Sequence, residues 1–441
     1  MKPKVIILSL IVFSCGYSSR AYAQDSLSHR RLTLDDVFKL AVANSYRLKI
    51  SEKNARSARQ QVRIAESDRL PSLVSDLSYG YISNADSWNP SFSDHRTSQI
   101  PHQFTAFSIL ASQVVFKGGE LRNSIRKSAL QEQLAMLSFE KNTEDIKLLV
   151  AAKYLDIYRM ISQQQIYENN IRLTQNRLKN VLTMQKQGMV TKNDVLRTEL
   201  IISEFRLALR GTNNDIIILN KELNIVTGLP DSIILVPDSH LLQDHDARNG
   251  LNAYLNLSDL HNQDLKIAEL NNQLAENNIK LTGSDRLPQV SLYARSNLQR
   301  PFTSVVPALD IYSDIWQAGI GVHYNISSSY QTKKKIRRAE IELAQAKDSK
   351  TLDQQNVHVG VNAAYIRYNE AKEDLTTLSA DLSAAEENYR VVEKKYFNQL
   401  ALLTDMIDAT NIKIVAELKV TNAQINVAYT YRQLLHRVGI L

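Results

Sequence analysis

Ser67-Asp68-Arg69-Leu70-Pro71 recurs unchanged as Ser284-Asp285-Arg286-Leu287-Pro288, 217 residues further along a chain of 441 residues. The identity does not stand alone, because Leu48-Lys49-Ile50 returns at the same offset as Leu265-Lys266-Ile267. Farther on, Tyr154 matches Tyr365 and Asp194 matches Asp405 at an offset of 211. Offsets that are steady within each region and drop between them mean that both halves follow one plan. The difference in length falls between Pro71 and Tyr154, where loops are expected.

Working outward from the repeated pentapeptide, each half predicts a helix, a strand pair, a very long helix, a tight turn and a returning helix. The first helix spans about 33–68, with Thr33 and Asp36 as a capping box, and stops at Pro71. Its counterpart spans about 260–284 and stops at Pro288. After each proline the helical period gives way to alternation. Strands are expected at about 72–83 and 103–116 in the first half and 289–298 and 314–326 in the second. Trp316, Ala318, Ile320, Val322, Tyr324 and Ile326 alternate cleanly with Gln317, Gly319, Gly321, His323 and Asn325, whereas Phe104 to Phe116 is ambiguous.

No Pro occurs between Pro101 and Pro230 or after Pro307, and no Gly between Gly119 and Gly188 or between Gly360 and Gly439. With both helix breakers missing, long helices are expected at 120–187 and 331–399, each roughly 100 Å at 1.5 Å per residue. Returning helices at 191–226 and 402–437 provide neighbours for their heptad-like apolar rows, such as Val420, Val427, Leu434 and Leu441. The organisation expected is a first repeat at 24–230, a linker or equatorial segment at 231–259 and a second repeat at 260–441.

Residues 1–23 have the order of a secretory signal peptide: Lys2 and Lys4, an apolar run from Val5 to Phe13, and Ala21-Tyr22-Ala23 ahead of Gln24. Acylation at Cys15 is the competing reading, since Val12-Phe13-Ser14-Cys15 approximates a lipoprotein box. Cys15 is the only cysteine, so no disulfide and no thiol metal or catalytic site is expected within the mature chain. The formal charge is +7, of which Lys2, Lys4 and Arg20 supply three, and this mild excess gives no support to nucleic-acid binding.

After residue 13 no apolar run is long enough for a spanning helix, so any membrane crossing must use strands. Strands with one apolar and one polar face suit a barrel wall, and equally a soluble half-buried sheet. Four strands are too few for a bilayer barrel, which needs at least about eight, so the membrane reading requires several copies of the chain.

Taken in order, Leu32-Thr-Leu-Asp-Asp-Val with Ala41 and Asn44, Arg69-Leu-Pro and its copy, Val115-Phe-Lys-Gly-Gly with Ala129, Leu223 with Thr227-Gly-Leu-Pro, and Asp405-Met-Ile-Asp-Ala-Thr resemble the TolC family of outer-membrane efflux proteins. The resemblance covers nearly all of the mature chain. It implies an α+β membrane protein that forms, as a homotrimer in outer-membrane lipid, a 12-stranded β-barrel continued by a 12-helix periplasmic α-barrel. It also implies a periplasmic adaptor gripping the helical tips, an inner-membrane transporter supplying the energy, and export of small molecules without a cofactor. A type I protein secretion channel is the alternative within the family.

The resemblance assigns the docking tips to Gly188, Met189 and Val190 in the first turn and to Gln399, Leu400 and Ala401 in the second. Gln399 departs from the family, which usually has glycine there. Asp405 and Asp408 match carboxylates that ring the closed end of the tunnel. Their spacing of three puts them on one helix face, where threefold symmetry would make two anionic rings. Helix-start acids favoured by the dipole are the plainer reading. Tyr396 and Asp194 match partners of a link that holds the helices shut, and Ala401 stands where an arginine link is expected.

Two other classes are disfavoured. The nine histidines show no metal-ligand spacing, and no phosphate loop or nucleophile elbow is present, which argues against an enzyme. A periplasmic coiled-coil adaptor would lack the duplicated strand pairs.

Overall fold

The computed structural model describes residues 28–238 and 250–441. The leader at 1–23, its cleavage site and Cys15 lie outside the described residues. The elements are β1 (Ser28–Leu32), α1 (Leu34–Asn44), α2 (Tyr46–Ser67), β2 (Ser72–Tyr81), β3 (Ala85–Trp88), β4 (His95–Ser98), β5 (Gln103–Lys117), α3 (Glu120–Lys186), α4 (Lys192–Thr227), β6 (Ile233–Pro237), α5 (Leu251–His261), α6 (Gln263–Ser284), β7 (Gln289–Arg300), β8 (Ser313–His323), α7 (Ser328–Phe397) and α8 (Leu403–Val438).

Thr33 caps α1 as its sequence suggests: its hydroxyl accepts from the Asp36 amide at 3.2 Å, and Asp36 accepts from the Thr33 amide at 3.3 Å. The single helix expected at 33–68 is broken at Ser45, however, and the helix expected from 260 begins at Leu251 and is broken at Asn262. Ser45 and Asn262 are 217 apart, so the break belongs to the repeat. At each break an asparagine amide reaches the last turn of the returning helix, Asn44 to the Thr227 carbonyl at 2.8 Å and Asn262 to the Arg437 carbonyl at 2.9 Å. These bonds satisfy carbonyls that a helix end leaves open.

Two further strand pairs went unanticipated. β1 pairs in parallel with β6, inside the segment expected to be linker. The buried Tyr154 clamps this pair, donating to the Leu32 carbonyl at 2.7 Å and accepting from the Asp238 amide at 2.8 Å. β3 and β4 form a small hairpin between β2 and β5.

The main sheet is antiparallel in the order β2-β5-β7-β8. Its register aligns Leu73 and Leu77 of β2 with Ala111 and Phe107 of β5, then with Ala294 and Leu298 of β7. Ala318, Ile320 and Val322 of β8 pair with Ala294, Leu292 and Val290 on the same face. The opposite face carries Asp76, Tyr293, Arg295, Asn297 and Gln317. β5 read ambiguously because its register shifts between Val114 and Phe116, a bulge that reverses the alternation near its end. The apolar face is bare: Leu73 and Leu77 are 74% exposed, Trp316 76% and Ile320 68%. A soluble half-buried sheet would have covered that row, and among the described residues nothing does.

Below the sheet α2, α3, α6 and α7 pack side by side, and farther down α4, α3, α8 and α7 do so, with α3 and α7 running the whole length. The core is therefore split into small clusters strung along the helices. The largest gathers Val37, Leu48, Val150, Tyr154, Ile157, Leu223 and Leu235 near β1 and β6. Val420, Val427 and Leu434 are buried along α8, as their heptad spacing anticipates.

Candidate channel constriction and docking tips

At the far end the two helix turns are brought together by an apolar cluster of Val181, Val195, Tyr396, Leu403 and Met406. Each turn closes in the same way. Met189 N–H donates to the Met184 carbonyl at 2.9 Å, and Leu400 N–H to the Lys395 carbonyl at 2.8 Å. Both turns need a left-handed residue, and Gly188 (φ 74°) and Gln399 (φ 62°) fill the two equivalent positions. Glycine takes that conformation without penalty and glutamine does not. Among the tip residues, Gly188, Met189, Gln399 and Leu400 are exposed, while Val190 and Ala401 pack inward against the cluster. The outward apolar side chains are thus Met189 and Leu400.

Asp405 has a structural task in this fold. Its Oδ2 accepts from the Leu402 amide at 2.9 Å, which is half of a capping box, since Leu402 has no hydroxyl to return the bond. Asp408, one turn on, is exposed on the same helix face. Asp194 completes the full box at the first turn, accepting from the Thr191 amide and hydroxyl, each at 2.8 Å.

Tyr396 is 3% exposed, and its hydroxyl is buried without a hydrogen-bond partner among the described residues. Burial pushes its phenol above the ordinary value; the nearby Asp194 carboxylate pushes the same way and Arg177 opposes. The structure therefore brings Tyr396 and Asp194 into electrostatic reach without a hydrogen bond between them, because the carboxylate is engaged at Thr191.

A tie that sequence reasoning missed lies just above. Arg177 of α3, 4% exposed, donates from Nη2 to the Tyr389 hydroxyl of α7 at 3.1 Å, and Tyr389 donates to Glu393 at 2.8 Å. Burial, then the bond to Glu393, raises the Tyr389 phenol. Lys413 of α8 sits 4.9 Å from the centre of the same ring, a cation–π contact. One aromatic ring thus joins three helices of both hairpins. Nothing in the spacing of Arg177 marks it, since a lone arginine in a long helix reads as solvated.

An open strand sheet with a bare apolar face, continued by paired helices roughly 100 Å long, is the build of a membrane-anchored duct subunit. The family model described as outer membrane efflux protein matches residues 37–228 and 255–435, and the chain belongs to that family. It is accordingly an outer-membrane efflux channel whose helices extend into the periplasm. Outer membrane efflux protein BepC of Brucella suis biovar 1 (strain 1330) is 22% identical over 410 residues, covering 92% of this chain and 85% of BepC. Among solved structures, the outer membrane protein VceC from Vibrio cholerae superposes with a TM-score of 0.74 at 13% identity, covering 92% of this chain and 96% of VceC. The open state of the Neisseria gonorrhoeae MtrE outer membrane channel gives 0.72 at 14%, covering 92% and 88%.

Proposed function

We propose that three copies of this chain form the exit duct of a tripartite pump that exports small molecules, with a periplasmic adaptor on the tips and an inner-membrane transporter supplying the energy. The observation that carries this reading is the pair of open edges on the main sheet. Among the described residues β2 and β8 each leave one side of a 10- or 11-residue strand unpaired, next to an apolar face that only lipid would cover. Unpaired backbone cannot persist in hydrocarbon, so β8 of one copy must meet β2 of the next. Three four-stranded sheets close as a barrel of twelve, within the range of bacterial outer-membrane barrels.

No catalytic group, cofactor or resident metal enters this mechanism, which is gating. Asp405 and Asp408 form the anionic constriction, and the Arg177–Tyr389–Glu393 tie together with Tyr396 and Asp194 holds the tips closed. Met189 and Leu400 offer the adaptor its apolar contacts, with Gly188, Val190, Gln399 and Ala401 shaping the two turns. Membrane fractionation and mass measurement in detergent test the assembly. A trimer from the outer-membrane fraction is expected, and a monomer in the soluble periplasmic fraction would overturn the reading.

A further inference from the structure

We infer that the two helix starts beneath the sheet form a basic belt that binds the headgroups of anionic phospholipids in the leaflet facing the periplasm. The inference rests on the outer-membrane reading above. The apolar row of β8 runs on through Tyr324 and Ile326, both exposed, and α7 begins at Ser328. Lys333, Lys334, Lys335, Arg337 and Arg338 follow within ten residues, about 8–15 Å down the helix. Side chains on a helix lean toward its N-terminus, and here the N-terminus is the membrane end, so these long cations reach back toward the bilayer surface.

Their placement is not that of a mixed solvated face. No acid occurs from Ile315 to Ala339. At 100° per residue Lys333, Lys334, Arg337 and Arg338 face away from the buried Ser328, Thr332 and Ala339, whereas Lys335 lies on the buried side, where it pairs with Asp285 at 3.2 Å. The pattern is also duplicated. At the offset of 211, Arg122, Arg126 and Lys127 near the start of α3 correspond to Lys333, Arg337 and Arg338, and buried Ser128 corresponds to buried Ala339. Both helices therefore present their cations in the same rotation, just below the strand that precedes them.

Apart from Lys335, which Asp285 holds, these charges are available to a partner. Among the described residues Arg122, Arg126, Lys127 and Lys333 make no ion pair. Arg337 and Arg338 are 77% and 83% exposed and pair only with Glu340 and Glu342 of their own helix. Exposed pairs of this kind are weak, and a phosphate diester that also anchors its tails beside the apolar strands is a better partner. In an assembled ring the six repeated positions recur around the circumference, which favours anionic over zwitterionic lipid by summed charge.

The test uses the detergent-purified full-length channel, first verified as a trimer, so that failure of the assembly is separated from failure of this inference. Thermal unfolding is followed with added phosphatidylglycerol, phosphatidylethanolamine or inorganic phosphate. Phosphatidylglycerol should raise the midpoint and the other two should not. Replacing Arg122, Arg126, Lys127, Lys333, Arg337 and Arg338 by Gln should abolish most of that rise. Lys394→Gln with Lys395→Gln, at the far end of α7, should leave it intact. If the six-residue variant fails to assemble, the three-residue variant of α7 alone should lose a substantial part of the rise. Equal shifts for wild type and variant, equal shifts with phosphatidylethanolamine or phosphate, or no shift in the wild-type trimer would overturn the inference. So would an unchanged lipid response accompanied by altered ion selectivity in the variant, which would place the cations on the lumen wall.

Discussion

At the first hairpin turn Gly188 adopts φ 74° and Thr191 caps the next helix with its hydroxyl; 211 residues on, Gln399 adopts φ 62° and Leu402 has no hydroxyl to offer. The backbones match, and the chemistry does not. Asp194 and Arg197 begin the first returning helix, whereas the equivalent positions of the second are Asp405 and Asp408. One tip is thus well capped and nearly balanced in charge, while the other is strained, half capped and acidic. The duplication supplies one backbone solution twice, and the second copy combines a left-handed glutamine with the two acids that the proposed constriction requires.

The largest expected effect comes from removing that charge. Asp405→Asn with Asp408→Asn keeps an acceptor for the Leu402 amide and abolishes both carboxylates. In planar bilayers the wild type should be cation-selective and blocked by divalent or trivalent cations from the periplasmic side, and the double variant should lose most of that block. Unchanged block would leave the two acids as helix-start residues only.

Next comes the tie between the hairpins. Arg177→Met keeps the apolar stem of the side chain but removes a charge-assisted bond worth roughly 1.5–3 kcal/mol. Higher resting conductance is expected, because Tyr389 then no longer joins α3 to α7. An unaltered conductance would mean that Arg177 is mere packing.

Smaller effects separate the turns themselves. Gln399→Gly should stabilise the second tip by about 1 kcal/mol, and Gly188→Gln should destabilise the first by a similar amount. Leu402→Thr should add about 0.5–1 kcal/mol by completing the capping box that Asp405 begins. Hydrogen exchange at the amides around each turn would report these changes locally, and equal protection in all variants would remove the contrast between the tips.

Much of this architecture was legible because it rests on strong local signals. The repeated Arg-Leu-Pro stops, the long windows without Gly or Pro and the alternation of β8 each follow from backbone chemistry. The breaks at Ser45 and Asn262 were not legible, since neither involves Gly or Pro and each is held by an asparagine bond to a helix end far away in the chain. The β1–β6 pair was hidden for a similar reason: five-residue strands about two hundred residues apart leave no period to read. At the tips, the turns and acids could be found from the repeat and the family resemblance. Arg177 could not, because its burial depends on which helices become neighbours.

The central claim is that β8 of one copy pairs with β2 of another, and cysteine cross-linking tests it most directly. Cys15 is the only native cysteine, so a Cys15→Ser background leaves no other thiol in the chain, whichever way its leader is processed. Within one chain β2 and β8 are separated by β5 and β7, three strand spacings or roughly 14 Å, beyond the span of a disulfide. Ser75→Cys combined in turn with single cysteines from Ile315 to Gly321 of β8 should yield, for positions in register, a covalent ladder that ends at the trimer. Absence of any cross-link along that scan, or a ladder that stops at the dimer, would contradict the account.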